Sequence, residues 1–271
     1  MTDILAPFYM LPSLAIYAVF MVTTGLVAGL CCIALAPIAK PPQTKEHLDV
    51  AMRTTGSVMA SLTLILAFCA VQARSQATDA RGIVNAEVTA IASIGRIADR
   101  MGGAGHELKH HITLYVESIA AREFPTMVDH GVHAETQHLA EVLEAAAYRA
   151  AATAPDVIAA DLLQEVGDIE QSRDRRLHAA RMGLPGEFWL LITVLFMLLA
   201  ATGALYPAKK HTVVMLAVQA AGCGALIAFV FIVDQPFRGS VRLTEQPYHT
   251  LLHTMEHHAA MMRQGERFAR P

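Results

Sequence analysis

Thirteen histidines are many for a chain of 271 residues, and their spacing is not random. His249, His253 and His257 recur every four residues, which puts them on one face of a helix; His106 and His110 repeat the interval. Two imidazoles at i and i+4 can share a Zn²⁺-like ion. The helical metalloprotease pattern His-Glu-x-x-His is absent, so a solvated or pH-responsive helix face is the expected role and metal a weaker reading. Ser57, Ser61 and Thr63 form a second group, hydroxyls within the uncharged run from Thr54 to Ala73. Hydroxyls in such a run can line a passive pore or bond to carbonyls of their own helix. No nucleophile–base pair, phosphate loop or dinucleotide fingerprint is present, so no enzymatic activity and no cofactor is expected. The four cysteines, Cys31, Cys32, Cys69 and Cys223, all lie in apolar runs and read as small buried residues.

These groups need a scaffold, and the composition says which kind. Apolar residues make up 54% of the chain and charged ones 17%, with a net charge of −3. That balance excludes an ordinary soluble domain and gives no attraction to nucleic acid. Four uncharged stretches read as membrane spans. The first runs roughly from Pro12 to Ile38, and Pro41-Pro42 is expected to end it. Ala34-Leu35-Ala36 resembles a signal-peptide cleavage site, but the basic flank such a peptide needs is missing and the apolar run is too long. A polar connection, Lys40 to Arg53, leads to the second span. The third covers Phe188 to Ala208, the fourth Thr212 to Val233. The expected fold is an all-α integral membrane protein: four transmembrane helices with a helical insertion between spans two and three. The expected divisions are a first transmembrane hairpin (1–73), the insertion (74–187), a second hairpin (188–233) and a C-terminal tail (234–271).

The organising stretch is Arg53 to Arg100, uncharged in its first half, polar in its second, free of proline. As one helix it would run roughly 70 Å, about half of it beyond the hydrocarbon. Gly25 and Gly29, and Gly224 with Ala220 and Ala228, are small-residue stripes suited to close packing of spans. In the insertion, breaks are expected at Gly102–Gly105, at Pro125 and around Pro155. If the helices leaving span two and entering span three run antiparallel, residues equally far from the membrane should meet. Asp79 then lies level with Arg181, Glu87 with Asp174 and its neighbours Arg173 and Arg175, Arg96 with Glu165, and Arg100 with Asp161. Arg176 belongs to the same basic run.

The short connections carry Lys40, Lys45, Arg53, Lys209 and Lys210, which places them in the cytoplasm and the insertion and termini outside, in the periplasm if the membrane is a bacterial inner membrane. Arg173, Arg175, Arg176 and Arg181 weigh the other way. No span has an interior charge, which argues against proton- or sodium-driven transport.

The pattern resembles a family of bacterial four-span membrane proteins described as bestrophin-like. The matching pieces are Leu48-Asp49-Val50-Ala51 leading through Gly56, the long helix with Glu87, Tyr115 with Glu123-Phe124-Pro125, the run Arg173 to Leu177, and the turn after span four, Asp234-Gln235-Pro236-Phe237-Arg238-Gly239. Bestrophins are pentameric anion channels with a long second helix lining the pore. The resemblance therefore implies a homo-oligomer in membrane lipid, conducting small anions past the second span. No acidic cluster like the bestrophin calcium clasp is present, so calcium gating is not implied. The other reading is a receptor or scaffold whose insertion binds a partner.

Overall fold

The computed structural model describes residues 11–39, 44–239 and 242–268. Every regular element among them is helical. In order these are α1 (Ser13–Ala39), α2 (Lys45–Arg100), α3 (Gly103–Ser118), a π turn (Ile119–Glu123), α4 (Phe124–His130), α5 (Ala134–Ala151), α6 (Asp156–Ala179), α7 (Gly186–Ala201) with a 3₁₀ turn (Thr202–Leu205), α8 (Lys210–Val233) and α9 (Gln246–Phe268). Lys40, Pro41 and Pro42 lie outside the described residues. Among the described residues four helices, α1, α2, α7 with its 3₁₀ turn, and α8, are long and apolar enough to cross a membrane.

The helix α2 starts nine residues before the expected Thr54. Thr44 caps it: the His47 N–H donates to Thr44 Oγ1 at 3.3 Å and the Leu48 N–H to the Thr44 carbonyl at 3.1 Å. The side-chain bond satisfies one of the first-turn donors that a helix cannot pair internally. The segment expected as a connection is thus largely helix.

Pro125 does not break the chain. The Phe124 N–H bonds back five residues to the Ile119 carbonyl, the signature of a π turn, and Pro125 enters at the start of α4. Proline is tolerated in a first turn, where its missing N–H is not needed. The real break is Gly131, at φ 73°.

The chain divides into two compact units, one of residues 1–77 and 183–242, the other of 78–182 and 243–271. In unit 1, α1 and α8 pack closely. A Cβ added at Gly25 would stand 3.0 Å from the Ala217 carbonyl oxygen, and one at Gly224 would collide with Thr24 Oγ1 and come within 2.7 Å of the Phe20 carbonyl. A second layer forms around Leu62, Leu66, Cys69 and Ala73, one stripe of α2, against Ile192, Leu199, Cys223, Ile227 and Val230. All four cysteines are free thiols. In unit 2, Leu108, Ile112, Tyr115 and Ile119 are buried at helical spacing.

Candidate functional site

The most unusual chemistry is a buried charge network in unit 2. Glu87 on α2, Glu123 in the π turn and Arg176 on α6 are fully buried, and Arg173 is 6% exposed. Arg176 grips Glu87 with two bonds, Nε to Oε2 at 2.6 Å and Nη2 to Oε1 at 3.2 Å. Its Nη2 also reaches Glu123 Oε1 at 2.8 Å, and Nη1 donates to Met127 Sδ at 3.2 Å. Arg173 holds the far side of Glu123, Nε to Oε1 at 3.2 Å and Nη2 to Oε2 at 2.5 Å, and its Nη1 bonds Gln137. Tyr248 Oη from α9 donates to Glu87 Oε2 at 2.7 Å, and Tyr115 Oη from α3 reaches Oε1 at 3.4 Å. The Tyr248 ring lies 5.8 Å from the Arg176 guanidinium.

Two carboxylates balance two guanidiniums, so no net charge is buried. Burial alone would push the Glu123 carboxyl up, but hydrogen bonds and charge from Arg173 and Arg176 outweigh it and hold it below the usual range. Desolvation opposes the charge on Arg176, yet Glu87 leaves it well above its ordinary value. Burial, then the Glu87 charge, raise both tyrosines, which stay neutral donors. The network ties seven elements, α2, α3, the π turn, α4, α5, α6 and α9. Its chemistry is positional.

Unit 1 has a buried carboxylate of its own, Asp234, 5% exposed at the end of α8. Its Oδ1 accepts the Leu184 N–H at 2.5 Å, and the Trp189 side chain adds a hydrogen bond. Gly183 lies so close that an added Cβ would stand 3.3 Å from the same oxygen. Asp234 therefore pins Gly183-Leu184-Pro185, the turn that leads into α7. Burial raises its carboxyl above the usual range, with the Leu184 and Trp189 bonds opposing. Pro236 and Phe237 are buried beside it, and Gly239 takes φ 80°.

The expected site residues fall out unevenly. Glu87 meets Arg176, not Arg175, which is exposed. Among the described residues no ion pair joins Asp79 to Arg181, Arg96 to Glu165 or Arg100 to Asp161. Arg96 instead donates to Ser93 Oγ, and Arg181 lays its guanidinium against Gly131. Ser57, Ser61 and Thr63 are all exposed, and Ser61 Oγ donates to the Ser57 carbonyl at 3.0 Å. At 100° per residue Ser61 and Thr63 point about 160° apart, so a single line of sight cannot hold all three. His249, His253 and His257 are exposed on α9, and among the described residues no three potential ligands converge on one metal position. Glu123, Tyr115 and Tyr248 were not expected as site residues. Tyr115 and Glu123 stood only among the family-like motifs, and Tyr248 was marked by no more than its place one residue after Pro247.

A four-span helical membrane protein with a second, charge-locked helical unit is the class that emerges. The chain belongs to the bestrophin-like family, whose Bestrophin-like domain matches residues 20–248. It is similar in fold to a bacterial bestrophin homologue from Klebsiella pneumoniae: TM-score 0.62, 12% identity, covering 86% of this chain and 95% of that one. A crystal structure described as a membrane protein with one proline-to-alanine substitution gives TM-score 0.64 at 12% identity, covering 89% and 96%. No curated protein matches the sequence.

Proposed function

We propose that several copies of the chain surround an axis lined by α2 and that the assembly passes small anions passively. One observation carries this reading: Gly56, Ser57, Ala60, Leu64, Ala67 and Val71 form a continuous uncharged face of α2 that is exposed in the single chain. Gly56 has nothing within 4 Å of where a Cβ would stand. A row of small residues lets like helices approach one another while leaving space on the axis, and a pore needs no ionisable side chain within the membrane. Ser57 sits within this face; Ser61 and Thr63 flank it. The ion class comes from the kinship with bestrophins. Purified protein in liposomes should carry anions faster than empty liposomes across a range of pH and voltage. Flux no faster than in empty liposomes would return the insertion to the receptor or scaffold reading.

The setting we propose is a bacterial cytoplasmic membrane with the basic connections around Lys45, Arg53, Lys209 and Lys210 inside. A cysteine at Gly103 should then react with an impermeant thiol reagent on intact spheroplasts. Labelling only after lysis would reverse the orientation.

A further inference from the structure

The histidine row of α9 lies directly opposite the face by which that helix packs. His249, His253 and His257 are exposed, whereas Tyr248 and Leu251 are buried and Met255 half-buried. At 100° per residue the three imidazoles fall within an arc of about 80°, on the far side from the packed residues. A merely solvated helix face is usually built from Lys, Arg and Glu. Residues 246–258 contain no Lys or Arg and one carboxylate, Glu256, but four histidines.

Neutral imidazole is a nitrogen donor suited to Zn²⁺, Ni²⁺ and Cu²⁺. Side chains four apart on a helix have Cβ atoms roughly 5–6 Å apart, so two ring nitrogens can close on one ion at about 2.0–2.1 Å. We propose that the row is a chelating site for a Zn²⁺-class cation held by two imidazoles at a time, His249 with His253 or His253 with His257. His249 and His257 are about 12 Å apart along the axis and cannot share an ion. His253 belongs to both pairs, so the helix holds one ion, with water in the open positions. The site stands apart from the pore reading and does not depend on it.

The test is calorimetric titration of Zn²⁺ into untagged full-length protein in detergent. His106 and His110, both exposed at the same interval on α3, are first replaced by Gln to remove a second chelate. This parent should bind one Zn²⁺ per chain. His253→Gln should lower affinity by about 100-fold, because it destroys both pairs and their shared effective concentration. His249→Gln and His257→Gln each leave one pair and should lower affinity only about twofold. No binding to the parent, unchanged binding by His253→Gln, or loss of binding in either end variant would overturn the proposal. All three positions are exposed, and circular dichroism of the metal-free proteins should coincide.

Discussion

In unit 1 the tightest contacts run through backbone. Gly25 and Gly224 let α1 and α8 approach until carbonyl oxygens of one helix stand where a side chain of the other would begin. Unit 2 has one local backbone approach of this kind, Gly105 against the Ala98 carbonyl, but its sequence-distant elements are joined through charge, with Arg176 spanning Glu87 and Glu123 in a fully buried setting. The contrast follows from what each unit can gain. Lipid is as apolar as leucine, so spans gain little by burying more apolar surface, and shape complementarity decides their pairing. Among the charged helices of unit 2, apolar burial supplies stability, and a buried ion network adds a cost that only correct geometry offsets. The network therefore favours the one arrangement of its seven elements in which every charge is paired.

The largest expected effect is at Arg176. Arg176→Ala leaves two buried carboxylates with one remaining guanidinium and should destabilise the protein by about 3–5 kcal/mol. Arg176→Lys should not rescue it, since a point charge cannot reproduce the fork that holds Glu87. Arg176→Met combined with Glu87→Gln keeps the Arg173–Glu123 pair neutral and should recover part of the loss in thermal melts followed by circular dichroism. If the double variant merely adds the two single losses, the network acts by shape and the contrast with unit 1 collapses.

Next in size is Gly224. Gly224→Ala puts a methyl group against Thr24 Oγ1 and the Phe20 carbonyl, and overpacking of this kind costs about 1–3 kcal/mol. Thr24→Ala should rescue it only in part, because the Phe20 carbonyl remains. Gly56→Ala is the control: with open space around it, the stability of the isolated chain should be unchanged. A Gly224→Ala variant that melts like the parent would show that backbone approach is not what holds α1 to α8.

The same contrast explains what could be read in advance. The spans were legible because an apolar run of membrane length has few alternatives; α1 covers Ser13–Ala39 against an expected Pro12 to Ile38. Small-residue stripes were legible because they lie on one helix. The network was only half legible. Level-matching brought Glu87 to the right basic run, but helix phase, which places Arg176 and not Arg175 inward, depends on what α6 packs against. Tyr248 stands 161 residues from Glu87, and nothing local marks their meeting. Pro125 misled because a one-turn π irregularity, invisible in composition, absorbs it.

The smallest effects concern pH, and they separate the units by sign. Glu123 has its folded pKa below the unfolded one, so its contribution is present above the unfolded value and is lost as pH falls through the folded value. Asp234 has its folded pKa above the unfolded one. Its folded form keeps a proton that the unfolded chain has released, so its contribution is present at low pH and is lost as pH rises through the folded value. Acid should therefore weaken the network and relieve the α8 carboxylate. The penalty of Glu123→Gln relative to the parent should shrink toward acid pH, below the ordinary carboxylate range. Asp234→Asn should gain on the parent as pH rises above that range, because a neutral amide never bears the buried charge. Trp189, the only tryptophan, bonds to Asp234 and reports it directly. Its fluorescence should titrate above the usual aspartate range, lose that titration in Asp234→Asn and keep it in Glu123→Gln. A titration that survives Asp234→Asn would assign the proton to another group and leave the two units with the same acid response.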